Sequence, residues 1–432
     1  MSDKTLYHFE VAPQIVLAGR ETRVSIRPLG GPKFELDATY TLQFLPLDES
    51  CEPTDDYETL KIRPEGGCLA FARAFSGEQE HIVRVFRPGA ALTPENAWLN
   101  FRIYSLAEDL YALYPWRGDM HAHSTASDGS EAPEIVAANY RKAGFDFFAL
   151  TDHHRLQPSA RCQAYYANTP ADLCILRGEE VHSPGNPVHI VNAGGRESVN
   201  EAFQRDPEGY DRAVRELIAS LPIPDGVNAY SYAACVWVFR KIREAGGLAI
   251  FAHPFWMANA YHVPVRMTDA LFASREFDAF ELLGGQELHS NNLQTAYYFE
   301  AREKGFKYPA VGSSDAHGTV DAMWFTWMST IAFAPTNTSE SIVEAVRAGL
   351  CVAMERYPRE EIRVYGPFRL VKLARFLLTE YFPLHDDLCF EEGRLMRELF
   401  LRGEEAAEAL ARLRGRTAAL LDRFYGKERA TV

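Results

Sequence analysis

Residues 117–154 read RGDMHAHSTASDGSEAPEIVAANYRKAGFDFFALTDHH. The stretch opens on His121-Ala122-His123, reaches an acidic turn at Asp128, and closes on Thr151-Asp152-His153-His154 directly after the apolar run 145–150. Side chains at i and i+2 of an extended strand point to one side. Both imidazoles of the His-x-His pair can therefore reach one cation while Ala122 faces away. Pro133 suits the first turn of a helix running to Lys142, with Gly144 at its C-terminal end. Strand, polar terminus, helix, strand and second polar terminus make a β-α-β unit with metal-binding residue types where its strands end. The fold class expected is α/β.

Downstream, strand and helix signals keep alternating, which predicts a parallel arrangement. Strands are expected at 173–181, 188–193, 248–252, 279–283, 308–312 and 351–354. Helices are expected at 210–220, 232–245, 287–304 and from Asn337 or Thr338 through Arg347. Upstream, residues 22–27, 39–44, 81–86 and 98–104 alternate apolar and polar side chains between Gly, Pro and Asp clusters, the pattern of a small β-sandwich. From about residue 367 onward, apolar residues recur at three and four, as along 395–401 and 404–423. Three regions are expected: an all-β domain over 1–112, a barrel over 113–356 and a helical segment over 357–432.

The 432 residues carry 45 Lys and Arg against 59 Asp and Glu, a net charge of -14. That balance speaks against general binding to a nucleic-acid backbone, which needs clustered cations. A small phosphorylated substrate stays compatible, because bound metal ions can supply local positive charge. No signal-peptide pattern opens the chain and no uncharged apolar run reaches 18 residues, so a soluble, cytoplasmic protein without membrane contact is expected. The seven cysteines (51, 68, 162, 174, 235, 351, 389) form no CxxC pair and read as free thiols. No feature assigns an oligomeric state.

Four further clusters follow the opening one at strand ends: Gly178-Glu179-Glu180, Val188-His189-Ile190, Ala252-His253-Pro254 and Gly312-Ser-Ser-Asp315-Ala-His317-Gly318. Barrel enzymes build their sites at the C-terminal ends of strands. With His121, His123, Asp128 and His153, the clusters supply nine His, Asp and Glu side chains, more than one divalent ion can use. Mixed nitrogen and oxygen donors suit Zn, Mn or Fe. His154, His182, His262 and His289 are candidate substrate contacts, as are Arg155, Arg177 and Arg196 for a phosphate. Phe255, Trp256 and Tyr261 could wall a pocket, and Asp152 is expected to orient a histidine or the loop backbone.

On DMHAHSTASDGS, ALTDHH, RGEEVH with the later VHI, FAHP and GSSDAHG, in that order, the chain resembles the PHP family, the polymerase and histidinol phosphatase superfamily of metal-dependent phosphoesterases. The resemblance covers about 115–356. It implies a distorted (β/α)7 TIM-like barrel holding up to three metals. His121, His123, Glu180 and Asp315 would surround the first; Glu180 would bridge to a second with His189 and His253; Asp128, His153 and His317 would hold the third. His121, His123, Glu180, Asp315 and His317 would act catalytically through those ions. Glu179 stands beside Glu180, and strand alternation lets only one of them face the metals.

The expected function is hydrolysis of a phosphoester, in a small phosphorylated metabolite or nucleotide, by a metal-activated water. A carbamate or amide hydrolase uses the same metals on another bond; an Arg or Lys cluster facing the metals would favour phosphate, and an apolar pocket the carbonyl substrate. A non-catalytic binding protein with structural metals is the third possibility, marked by a site with no open coordination position.

Overall fold

The computed structural model describes residues 4–50, 57–257, 259–403 and 405–427, in two compact units. Cys51 and Glu404 lie outside the described residues, as do the ends of the chain.

The first unit comprises residues 1–114 with 372–385 and 415–432. Its strands are β1 (Phe9–Ala12), β2 (Ile15–Leu17), β3 (Glu21–Pro28), β4 (Tyr40–Pro46), β5 (Thr59–Ile62), β6 (Leu69–Ala74), β7 (Gln79–Phe86) and β8 (Leu99–Leu106). They form two sheets, β1-β3-β6 and β2-β8-β7-β4-β5. Along β7 the inward positions are Gln79, His81, Val83 and Val85, so period-two patterning sends alternate side chains into the core. Val24, Ile26, Leu42, Phe44, Leu69, Phe71, Val83 and Phe101 share that core. His81 is buried there, with its Nε2 2.8 Å from the Ser105 hydroxyl.

The second unit comprises 115–371 and 386–414. The helical segment expected over 357–432 is thus divided between the two units and does not cluster by itself. Ten strands make its sheet: β9 (Tyr114–Asp119), β10 (Phe147–Leu150), β11 (Cys174–Val181), β12 (Ile190–Ala193), β13 (Leu248–Phe251), β14 (Ala279–Leu283), β15 (Ala310–Gly312), β16 (Met328–Ala334), β17 (Cys351–Glu355) and β18 (Arg363–Tyr365). Their order is β15-β14-β13-β12-β11-β10-β9-β16-β17-β18.

The pairing is mixed, which corrects the all-parallel expectation. The pairs β9/β10, β10/β11, β13/β14 and β14/β15 are parallel, whereas β12 runs antiparallel to β11 and β13, and β17 to β16 and β18. The reason at β11/β12 is chain length. Only residues 182–189 separate the two strands, and a parallel crossover needs about a dozen or more. The sheet is nearly closed. The Thr330 hydroxyl of β16 accepts from the Gly312 amide (3.1 Å) and donates to the Gly312 carbonyl (2.9 Å), so one side chain bridges β15 to β16. A Cβ on Gly312 would stand 2.5 Å from the Ser329 carbonyl oxygen, and only glycine permits this approach.

Helices Pro133–Lys142, Ala229–Glu244, Val265–Ser274 and Leu288–Glu303 each bury several side chains. Of the two expected caps Asn337 and Thr338, Thr338 caps helix Ser339–Arg347, its side chain accepting from the Ser341 amide. No helix among the described residues is long and apolar enough to cross a membrane. None of the six described cysteines forms a disulfide.

Candidate metal centre

The chain continues the β9 and β10 ladders into the site. Ala122 bridges Ala316 and His153 bridges Glu180 in parallel register, so the polar termini stay aligned after the regular strands end. Ala122 points into the apolar cluster of Val136, Tyr140, Phe148 and Leu150, leaving His121 and His123 on the other side. All nine candidate ligands converge here.

Two donor sets share Glu180. Its Oε2 lies 3.3 Å from His121 Nε2, 3.4 Å from His123 Nε2 and 2.9 Å from His153 Nδ1. Its Oε1 lies 2.7 Å from His189 Nδ1, 3.6 Å from His182 Nε2 and 3.7 Å from His253 Nε2. Asp315 Oδ1 stands 2.9 Å from His123 Nε2 and 3.3 Å from His121 Nε2, and its Oδ2 4.0 Å from His253 Nε2. A more open set forms around Asp128, whose Oδ2 is 3.3 Å from His317 Nε2 and 3.5 Å from His153 Nε2. Burial grades across the site: the His121 and His123 side chains are fully buried, whereas Asp128 is 54% exposed and His317 36%. Solvent therefore reaches the Asp128 set.

Strand parity separates the two glutamates. The Glu179 carboxylate turns to the opposite face, where it accepts from Asn192 Nδ2 (3.1 Å), Ser198 Oγ (2.6 Å), the Val199 amide (2.6 Å) and Asn200 Nδ2 (2.9 Å). Every acceptor site it offers is spent on the protein, so Glu180 is the carboxylate that faces the cluster.

A cation fits these residues on two observations. Among the described residues, no Lys or Arg is paired with Glu180, Asp315, Glu281 or Asp128; their neighbours are imidazoles. Buried carboxylates without a compensating cation are costly. Moreover, Glu180 Oε1 and Oε2, His121 Nε2, Glu281 Oε1, His253 Nδ1 and His262 Nε2 are buried without a hydrogen-bond partner. Polar atoms that face one another without hydrogen bonding are what bound ions would satisfy. Sets of donor atoms within 4.8 Å of one another comprise His121, His123, Glu180 and Asp315; His123, Asp128, His153 and His317; His189, His253 and His262; and His121, His253 and Glu281.

The same crowding moves proton affinities. Burial opposes a charged His121, but Asp315, Glu281 and Glu180 outweigh it and hold its pKa well above the ordinary value. Burial opposes a charged Glu180 too, and the surrounding imidazoles, His121 foremost, pull its pKa well below the carboxylate range. Burial brings His189 down to about 4, and burial with the neighbouring His189 and His253 brings His262 to about 3. Both are therefore neutral imidazoles, the ligating form. His253 (φ 26°) and Asp315 (φ 49°) take left-handed backbone conformations that non-glycine residues seldom adopt. Such strain gathers at functional sites because the surroundings hold it in place.

The outer residues divide. Asp152 accepts from the Ser124 amide and hydroxyl (2.8 Å each) and from the Ser127 hydroxyl (2.6 Å), so it braces the loop that carries Asp128. His182 joins the cluster, with its Nε2 2.9 Å from His153 Nδ1 and its ring 4.7 Å from that of His154. His262 stands with its ring 4.1 Å from His189 and 5.5 Å from Trp256. The remaining candidates turn elsewhere. His289, Arg155 and Arg196 are exposed, and Arg177 donates to Gln163. Glu281, which sequence reasoning missed, is fully buried on β14 with its Oε2 2.9 Å from His121 Nδ1. A lone carboxylate inside the apolar strand Ala-Phe-Glu-Leu-Leu was the available signal.

Structural comparison finds likeness to a number of solved proteins, among them the following three. The first is a two-domain protein containing a predicted PHP-like metal-dependent phosphoesterase from Bacteroides vulgatus (15% identity, TM-score 0.40, 59% of this chain and 76% of that one). The second is a candidate metal-dependent phosphoesterase from Bifidobacterium adolescentis (16%, 0.34, 47% and 88%). The third is an amidohydrolase from Chromobacterium violaceum bearing sulfate and no metal (20%, 0.33, 48% and 89%). No protein-family model and no curated protein matches the chain.

Proposed function

We propose that the protein is a metal-dependent hydrolase of the PHP type, most at home on phosphoesters, whose ligands are His121, His123, Asp128, His153, Glu180, His189, His253, Asp315 and His317. The observation that carries the reading is the double use of Glu180: one oxygen faces His121, His123 and His153, the other His189 and His253. A carboxylate so placed could serve two cations, one on each oxygen. The proposal includes up to three ions of Zn, Mn or Fe, a distorted (β/α)7 barrel and a cytoplasmic setting, the last in keeping with described cysteines that form no disulfide.

Divalent ions held here would lower the pKa of water and neutralise charge on the attacking and leaving oxygens. The chain's own contribution is arrangement. Buried carboxylates and neutral imidazoles define the ion positions, and Glu281 holds the His121 ring through Nδ1 so that Nε2 faces the cluster. The exposed Asp128 and His317 leave an approach on their side. His154 and His182, beside His153, are placed to touch an anionic group or a leaving oxygen on that side.

One observation favours a second reading, a carbamate or amide hydrolase. Arg155, Arg177 and Arg196 do not join the cluster, while Trp256 stands with its ring 6.0 Å from His253 and 6.5 Å from His189. The deciding experiment loads the protein with manganese or zinc and offers phosphomonoesters, phosphodiesters, nucleotides, aryl carbamates and amides, with His123→Ala alongside. Metal-dependent phosphate release, abolished in the variant, supports the first reading. Carbamate or amide turnover alone moves the assignment to the second, and full metal occupancy without turnover of any substrate points to a binding protein.

A further inference from the structure

We infer that His262 is a fourth protein ligand to the ion held by Glu180 Oε1, His189 and His253, closing that position into a tetrahedral, zinc-preferring site with no place for water or substrate. This rests on the metal-centre reading above and adds a residue that the nine-ligand set lacks.

The geometry is specific. Donor atoms of His189, His253 and His262 all lie within 4.8 Å of one another. Glu180 Oε1 adds an oxygen 2.7 Å from His189 Nδ1 and 3.7 Å from His253 Nε2. Four donors at zinc bond lengths of about 2.0–2.1 Å around a tetrahedron stand about 3.4 Å apart, so side-chain adjustment that draws the His262 ring inward would convert this cluster into a coordination shell. His262 Nε2 is itself buried and has no hydrogen-bond partner.

The loop is built to deliver that ring. The His262 amide donates to the Trp256 carbonyl (2.7 Å) and the Val263 amide to the Pro254 carbonyl (3.0 Å). These two bonds tie His262 back onto residues 254–256. Val263 is fully buried and anchors its far side. Trp256 stands beside the set, its ring 5.5 Å from His262 and 6.0 Å from His253.

Closure at this position has a functional consequence. A site with four protein ligands and no open position holds its ion tightly and acts by charge, polarising the shared Glu180 and fixing its orientation. The open coordination positions then belong to the ions on the Glu180 Oε2 and Asp128 sides, where exposure rises. Substrate and the reacting water would work there.

The test uses cobalt(II) in place of the native ions in the full-length protein. Tetrahedral cobalt gives intense visible absorption, and five- or six-coordinate cobalt gives weak bands. Wild type is expected to show the intense bands at the first equivalent bound, and to keep one equivalent of zinc through dialysis against a chelator that removes the rest. His262→Ala and His262→Gln should lose both signatures, with zinc release from that position faster by tenfold or more. His262→Cys, which restores a ligand, should recover retention and add a sulfur-to-cobalt charge-transfer band; this variant also carries the test if the alanine form fails to fold. Unchanged bands and retention in His262→Gln would overturn the inference, as would lost turnover with intact metal binding, which would make His262 a substrate contact. A wild-type protein that takes up no metal would sink the metal-centre reading itself.

Discussion

Replacing Glu281 separates a metal-orienting role from a packing role. The carboxylate is fully buried and accepts a hydrogen bond from His121 Nδ1 at 2.9 Å, which aims Nε2 toward Glu180 and Asp315, where a bound ion would take the place of its proton. A hydrogen bond to a charged acceptor contributes about 1.5–3 kcal/mol and a neutral one about 1 kcal/mol. Glu281→Gln keeps shape and an acceptor oxygen but loses the charge, a difference of about 1 kcal/mol, or roughly fivefold in metal affinity. Glu281→Ala removes the acceptor, and loss of such a histidine-orienting partner costs about 10–100-fold in affinity. Without metal, Asp315, Glu281 and Glu180 together hold the proton on His121, and Glu281→Gln leaves two of these carboxylates beside it, so the metal-free variant should lose less stability than the loaded one. Competition with a chelating dye gives the affinities, and thermal melts with and without chelator give the stabilities. Equal metal affinity in wild type, Gln and Ala forms would refute the reasoning. So would a metal-free Gln form destabilised as much as its loaded form.

Chelator treatment should lower the melting midpoint of the second unit, because ions bound only to the native state stabilise it by about 2.7 kcal/mol per site at a hundredfold excess over Kd; re-adding zinc or manganese should restore it in a calorimetric scan. Asp152→Ala strips three hydrogen bonds from the Ser124–Ser127 loop, leaving a buried amide unpaired at about 1–3 kcal/mol. Metal analysis at limiting zinc should show the loss falling on the Asp128 position before the Glu180 positions. Gly312→Ala places a methyl 2.5 Å from the Ser329 carbonyl, and denaturant unfolding should report a loss of about 1–3 kcal/mol as the β15/β16 seam is forced apart. His81 is pushed down to about 4 by burial. The unfolded chain therefore binds the proton that the folded one refuses, so stability is full above about pH 6.5 and falls as pH drops from there toward 4, by about 3 kcal/mol in all. Subtracting the pH–stability curve of His81→Asn should isolate that slope, and identical curves would count against a buried neutral imidazole.

Much of the site could be read before any fold was known, because its chemistry sits where strands end and strand geometry is local. His121-x-His123 and Asp315-x-His317 place metal-binding types two residues apart, and each follows an apolar run. Backbone pleating alone then puts both side chains on one face. The strand Met328–Ala334 was overlooked between the Asp315 cluster and the Thr338 cap, as were the helices Gln157–Tyr166 and Val265–Ser274. Their apolar residues do not repeat with a clean period, since elements buried on more than one side need not alternate.

The sequence by itself determined which residues could ligate and, through strand periodicity, that only one of Glu179 and Glu180 could face the cations. The tertiary structure decided which one. Asn192, Ser198, Val199 and Asn200 collect around Glu179 and take its oxygens, leaving Glu180 to the histidines. Only the fold brings Glu281 and His262 beside those ligands. One is a lone carboxylate within an apolar strand and the other a lone histidine in a loop, and each gains meaning from a neighbour far away in sequence. The short return between β11 and β12 likewise reverses a strand within a sheet whose local signals all read parallel. Periodicity acts along a strand, whereas partnership acts across the sheet, and partners are set only when distant segments compete for the same buried space.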